Sequence, residues 1–354
     1  AFVSAGHDIM LIVPNRRSPI ESDTFDYYKI KKRFPLKRLF TIDTIGYGSV
    51  GYIFQSVLFG IVAWYYIRNH SADVIYGRDE IPLFVIGLLT RKKVVWESHD
   101  GAWNVWARYL VRRAAGVVVV TAGAVDFYVR HGVPREKLLA VSNGIDLGDF
   151  AVPETKEEAR ARLGLPQNKK IALYIGRLDG WKGADTLMEA SRLLPSDTCV
   201  AIIGGEEKQI AVLKNKHPAV IFLGYRPYAE LPNNQAAADI LVVPNTAKDL
   251  RSVMFTSPLK LIAHMASERP IVVSALPSTR FLADGAALFV TPDNPQAIAQ
   301  GIQDLLNDTA RTKNLVDSAR RRVIDFSWSK RAEMIRNFIG LLKTVVADCT
   351  TKEI

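Results

Sequence analysis

Six short apolar runs, near residues 171–175, 199–203, 220–223, 240–243, 271–273 and 288–290, alternate with helical pattern through the second half of the chain. Strands with no polar side must be covered on both faces. Their alternation with helices therefore predicts a parallel sheet between two helical layers. The first half keeps the same rhythm. It reads as strand 9–13, a polar and basic insertion near 15–43, strand 74–76, helix 80–90, strand 93–97, helix 103–114, strand 117–121, helix 123–131 and strand 138–141. Asn143-Gly144-Ile145-Asp146 then closes the first half as a turn. At 354 residues the chain suits two domains, the first over 1–150 and the second beginning in the charged segment 151–168. The expected fold class is α/β, with two doubly wound domains.

Two segments break the rhythm. The opening SAGHDIMLIVP reads as the end of a helix, a stop at Gly6 and a strand, so a strand and its glycine-rich loop are expected ahead of Ala1. The run from Thr44 to Ile67 carries no charge and reaches membrane-spanning length. Its small residues Ser49, Ser56, Gly60 and Ala63 recur at helical spacing, while Phe54, Leu58, Ile61 and Tyr65 point elsewhere. Strand 74–76 is expected in one sheet with strand 9–13, and a crossing between them would put the two on opposite sides of a membrane. The run is therefore read as a buried, close-packed core helix.

Composition narrows the chemistry. Cys199 and Cys349 lie far apart and six histidines are scattered, which predicts neither a disulfide framework nor a metal site and fits a reducing cytoplasm. The net charge of +10 is divided evenly between the halves and lacks an aromatic-rich basic motif, so no nucleic-acid partner is expected. One local cluster stands out: Lys29, Lys31, Lys32, Arg33, Lys37 and Arg38, interleaved with Phe34, Leu36, Leu39 and Phe40. It reads either as a solvated loop or as a peripheral contact with an anionic membrane surface.

The stretch IALYIGRLDGWKGADTLMEASRLL, Ile171 to Leu194, carries the chemistry. A strand runs into a glycine turn bearing Arg177 and Lys182, and a helix opens near Gly183 and Ala184. Backbone N–H groups, a positive helix end and two cations at a strand's carboxyl end suit a diphosphate, although an exposed basic loop on an ordinary βα unit has the same local pattern. A second such place is Thr256-Ser257-Pro258-Leu259-Lys260. There Ser257 suits an N-cap and Pro258 the first helical position, a pattern equally at home in a purely structural helix.

Together with FLGY at 222–225, ADILVVP at 238–244 and SPLKLIAHMASERPIVVSALPS at 257–278, these blocks resemble the donor half of family 4 glycosyltransferases. WESHDG at 96–101 and VSNGID at 141–146 resemble that family's acceptor-domain markers, and SWSKRAEMIRNF at 327–338 its closing helix. The resemblance implies a GT-B fold, two Rossmann-like domains facing a cleft, with a donor domain over 151–325 and a helix over 326–354 returning to the first domain. It implies retaining transfer from a nucleoside-diphosphate sugar without a metal or other cofactor. It gives Arg177 and Lys182 the donor diphosphate, and the backbone at Ser257, Pro258 and Leu259 its second phosphate contact. Tyr225, Arg226 and Pro227 fall to the nucleobase region, and His99 with Asp100 to the acceptor side beside the donor sugar. Arg177, Lys182 and His99 are the residues expected to carry catalysis, and the acceptor a glycan or lipid-linked glycan of cell-envelope assembly.

The chain departs from the family at the paired glutamates, which fall on Phe255 and Ala263, and at Glu268, where a glycine usually ends the helix. Ala263 cannot accept the ribose hydroxyls. A relative that binds a partner or glycan without catalysis is the alternative these positions support. A carbohydrate phosphorylase is disfavoured because its cofactor-lysine motif is not evident.

Overall fold

The computed structural model describes residues 1–17, 23–27, 30, 32–151 and 153–350, with backbone alone from 343. The chain divides into two compact units, Ala1–Val120, Ala124–Val141 and Ser329–Ile354 in the first, Thr121–Gly123 and Ser142–Trp328 in the second. The division falls at residue 141 rather than 150. The turn at 143–146 already belongs to the second unit, where the Ile145 N–H donates to the Phe326 carbonyl at 3.0 Å and the Trp328 N–H to the Ile145 carbonyl at 3.3 Å.

In the first unit, β1 (Leu11–Pro14), α1 (Thr24–Tyr27) and β2 (Leu36–Leu39) are followed by α2 (Gly48–Ile67), β3 (Val74–Gly77), α3 (Glu80–Leu89) and β4 (Lys93–Ser98). Next come α4 (Val105–Arg113), β5 (Gly116–Val119), α5 (Ala122–Arg130) and β6 (Leu138–Ala140). Strands β3 to β6 form a four-stranded parallel sheet in sequence order. The expected common sheet of β1 and β3 is not formed: among the described residues β1 pairs in parallel with β2 alone, and no ladder joins this pair to β3.

Helix α2 is not the buried helix expected either. Gly51, Gln55, Ser56, Gly60 and Ala63 are buried. Gly60 lies so near α3 that a Cβ there would stand 2.8 Å from Val85 Cβ and 3.1 Å from the Pro82 backbone. Approach that close uses the small face of the helix, and the large residues opposite have nothing left to bury against. Val50, Phe54, Ile61 and Tyr65 are 79%, 52%, 45% and 57% exposed.

The second unit contains α6 (Lys156–Leu163), β7 (Lys170–Ile175), α7 (Ala184–Ala190), β8 (Thr198–Ile203), α8 (Glu207–Lys216), β9 (Ile221–Phe222), α9 (Leu231–Ala236) and β10 (Ile240–Val243). It continues through α10 (Leu259–Ala266), β11 (Ile271–Ser274), α11 (Pro277–Ala283), β12 (Leu288–Val290), α12 (Pro295–Asn307) and α13 (Thr309–Val323). The six strands are parallel in the order β12-β11-β10-β7-β8-β9. One face is covered by Leu187, Met188, Ile298 and Ile302, the other by Leu163, Leu165, Ala236 and Ala237, so the strands are buried on both sides as their composition predicts. Strand order reverses between β7 and β10, and in such sheets the ligand crevice lies at the carboxyl ends of the two strands flanking that reversal.

The last described element is α14 (Trp328–Thr350), whose Ile335 and Phe338 pack with Val95, Val118 and Val141 in the core of the first unit. Glu268, just past α10, takes a left-handed conformation at φ 57°. The turn that usually needs glycine is thus kept without one.

Candidate functional site

The loops after β7 and β10 meet. Gly183, at φ 70°, precedes α7 and lies against the loop after β10; a Cβ there would collide with the Pro244 carbonyl oxygen. Only glycine satisfies both the left-handed backbone and the contact. Arg177 projects from this loop with its side chain 83% exposed, held by Asp179 with Nε 3.1 Å from Oδ2. Lys182 folds back over Trp181, its Nζ 3.5 Å from the ring centroid. Burial lowers the Lys182 amine to about 8, with Asp179 drawing it up and Arg177 pressing it down. Both cations expected from the sequence therefore stand together at the strand-order reversal.

A third cation comes from α10. Lys260 is enclosed beneath the glycine turn, with Nζ donating to the Tyr174 hydroxyl at 2.9 Å, and a Cβ on Gly176 would lie 2.6 Å from that Nζ. The Tyr174 hydroxyl in turn donates to the Arg177 carbonyl at 2.7 Å. Burial holds the Lys260 amine well below its usual value, Lys182 adding to the effect and Asp179 opposing it. Lys260 belongs to the SPLKL run, and its i+3 spacing from Ser257 was the available signal.

The start of α10 differs from expectation by one residue. Pro258, not Ser257, occupies the cap position, and the helix opens at Leu259 with no side-chain cap. The Ser257 Oγ is buried without a hydrogen-bond partner among the described residues. Pro258 has no N–H, so it cannot be a phosphate donor; the amides of Ser257, Leu259 and Lys260 are the donors available at this end. The loop 224–227 joins the same edge of the sheet, the Gly204 N–H donating to the Gly224 carbonyl at 2.8 Å. On it Tyr225 is 77% exposed, and Arg226 has a buried Nε with no partner among the described residues. Phe255 and Ala263 are both buried and offer no acceptor.

In the first unit, His99 and Asp100 follow β4 at the carboxyl edge of its sheet. His99 is paired through Nε2 with the Glu97 carboxylate. That carboxylate also accepts from the Tyr76 hydroxyl and lies 3.0 Å from the Arg331 guanidinium on α14. Burial pushes the Glu97 carboxyl up, but the His99 bond, Arg331 and Tyr76 outweigh it and hold it at about 2. An ionised carboxylate only accepts, so Nε2 is the nitrogen that carries the proton of this bond. Sequence reasoning missed Glu97 as part of the site, although it stands in the same WESHDG run, two residues before His99 at the end of β4. Arg331 gave no local signal.

The basic cluster is partly committed to its own fold. Arg33 lies 2.8 Å from Asp26 and 3.5 Å from Asp23, Lys32 donates to the Val3 carbonyl at 2.8 Å, and Arg38 donates to Thr24 Oγ1 at 3.0 Å. Lys37 stands over the Tyr66 ring on α2 at 5.6 Å. Lys29 and Lys31 lie outside the described residues.

Two parallel α/β units, the second with cations and a helix start gathered at its strand-order reversal, define a GT-B protein. Residues 1–149 match the model of Glycosyltransferase Family 4 and residues 169–308 that of Glycosyl transferases group 1, and the chain belongs to this glycosyltransferase family. A D-inositol 3-phosphate glycosyltransferase of Catenulispora acidiphila is 28% identical over 64% of this chain and 57% of its own length. TuaC of Bacillus subtilis, named as a candidate teichuronic acid biosynthesis glycosyltransferase, is 24% identical over 84% of this chain and 80% of its own. The chain spans 52–62% of the length of the inositol-phosphate relatives it first matches. The HepE protein of Anabaena, solved with UDP, has the same fold, at TM-score 0.73 and 19% identity over 89% of this chain and 88% of its own.

Proposed function

We propose that the protein transfers a sugar, with retention, from a nucleoside-diphosphate sugar to a glycan or lipid-linked glycan acceptor. The observation that carries this reading is the convergence of Arg177, Lys182 and the α10 start, with Lys260 beneath, at the β7–β10 reversal. Breaking the glycosyl–phosphate bond leaves an oxocarbenium-like sugar and a diphosphate gaining negative charge. Fixed cations and free amides aimed at that charge stabilise the transition state more than the ground state. Arg177 and Lys182 serve as the diphosphate grip. The amides of Ser257, Leu259 and Lys260 take the other phosphate, and Tyr225, Arg226 and Pro227 border the base. HepE was solved with UDP, which favours uridine as that base.

His99, kept in one tautomer by Glu97, acts on the acceptor side with Asp100 beside it. Retention follows from attack on the face the leaving diphosphate vacates, that phosphate accepting the acceptor hydroxyl's proton. The acceptor class is supported by the teichuronic acid assignment of TuaC. The protein works in the cytoplasm, with Lys37 on β2 facing a peripheral membrane contact.

The buried methyl of Ala263 and ring of Phe255 favour a second reading, a non-catalytic module that binds a glycan or partner. A thermal-shift screen against UDP, GDP, ADP and their sugars separates the two. Stabilisation by one base, with UDP expected, supports the enzyme, and no response to any supports the module. Arg177→Ala and Lys182→Ala should each weaken the effective nucleotide by roughly 10- to 100-fold. The anomeric configuration of the product by NMR then tests retention.

A further inference from the structure

We propose that the outer face of α2 seats the first unit on an anionic bilayer, lying in the headgroup layer rather than crossing it. The proposal rests on the reading of the first unit as the acceptor side. Val50, Phe54, Ile61 and Tyr65 recur at spacings of four, seven and four residues on the side facing away from α3, and all are exposed. No charge interrupts the segment from Thr44 to Ile67. A soluble helix normally turns its large residues inward and its polar ones outward. This one buries Gly51, Ser56, Gly60 and Ala63 and presents the large residues to the outside.

The occupant follows from charge and ring chemistry. Aromatic residues with polar tips stand at both ends of the helix, Tyr47 and Tyr52 at its start, Trp64, Tyr65 and Tyr66 at its finish. Such rings favour the boundary between headgroups and acyl chains. Cations sit on them: Arg68 lies 4.0 Å from the Tyr65 ring centroid, and Lys37 of β2 lies 5.6 Å from that of Tyr66. Beside α3, a groove of about 310 Å³ is lined by Phe84, Val105, Arg108, Tyr109 and Arg112, and adds two more cations to the same helical layer. Apolar side chains framed by cations match an anionic lipid surface. A transmembrane course is disfavoured because the small face of α2 is packed along α3, which itself rests on the sheet.

The location bears on the acceptor. The Tyr52 hydroxyl bonds to Ser56, and Asp79, Glu80 and Asp100 all act on it electrostatically. The first turns of α2 are therefore within electrostatic reach of the loop that carries His99. A lipid-linked glycan standing out of the bilayer would meet that loop without leaving the membrane.

The test is co-sedimentation of the full chain with vesicles of phosphatidylcholine alone and of phosphatidylcholine with phosphatidylglycerol, for wild type, Phe54→Ser/Ile61→Ser and Lys37→Ala/Arg68→Ala. Wild type should pellet with the anionic vesicles, and each double variant should lose roughly tenfold or more of its partitioning. UDP-induced thermal shift, measured without lipid, should be the same in all three proteins. Equal pelleting with neutral and anionic vesicles would overturn the proposal, as would wild-type partitioning by the Phe54/Ile61 variant. A dimer in solution that this variant dissolves would assign the face to a second copy instead and equally overturn it. Loss of the UDP response in wild type with vesicle binding intact would count against the donor reading alone.

Discussion

Lys260 reaches the Tyr174 hydroxyl at 2.9 Å, and through it the backbone of the loop that carries Arg177. The amine is buried and held well below its usual value. It positions the loop as a hydrogen-bond donor. Lys260→Met keeps the length of the side chain and removes the donor. Its stability cost should stay below about 1.5 kcal/mol, while the UDP dissociation constant rises roughly five- to twentyfold. Denaturant unfolding and calorimetric titration of the same preparation separate the two effects.

Lys182 gives nucleotide binding a pH signature. With its amine lowered to about 8, the group is charged below that pH and progressively neutral above it. A diphosphate prefers the charged form, so affinity should be flat below pH 8 and fall as pH rises beyond it, until the raised value in the complex is passed. Lys182→Arg stays charged throughout and should flatten the profile. Titrations between pH 6.5 and 9.5 read the difference.

Glu97 gives the first unit an acid limit. Its carboxyl falls from 4.5 to about 2 on folding, so the stabilisation is complete above 4.5 and is lost as pH drops towards 2. Removing one partner of a buried ion pair costs about 3–5 kcal/mol, because the other is left without a counter-charge. Glu97→Gln removes the carboxylate from the buried pair with Arg331. Urea unfolding should show that full deficit at pH 7 and a shrinking one below pH 4.5.

Glu268 holds a left-handed backbone at φ 57° with a carboxylate 3.5 Å from Arg320 on the surface. An exposed pair of this kind contributes little, whereas a side chain in that conformation is strained. Glu268→Gly should raise stability by roughly 0.5–1 kcal/mol with UDP affinity unchanged. A drop in melting temperature would show that the Arg320 contact outweighs the strain.

The second unit was the more legible half. Its strands are central and apolar on both faces, so β10 and β12 fall on the expected residues 240–243 and 288–290. The loop of Arg177 and Lys182 was readable because strand, glycine and helix start are consecutive in the chain. The contacts of Lys260 and Arg331 were not, since their partners Tyr174 and Glu97 lie far away in sequence and only packing brings them together. Helix α2 misled for a related reason. Periodicity separates a small face from a large one, but which of them packs inward depends on how closely α3 approaches.

The return of α14 to the first unit has a consequence for how the molecule is made. Residues 142–328 are translated between β6 and the helix that supplies Ile335, Phe338 and Arg331 to the sheet of β4. A ribosome working from the amino end leaves Glu97 without its guanidinium partner, and one face of that sheet without its cover, until residues 331–338 are added. The second unit is synthesised as an almost uninterrupted stretch and is free to fold first. In birth order, the unit that begins first is finished last.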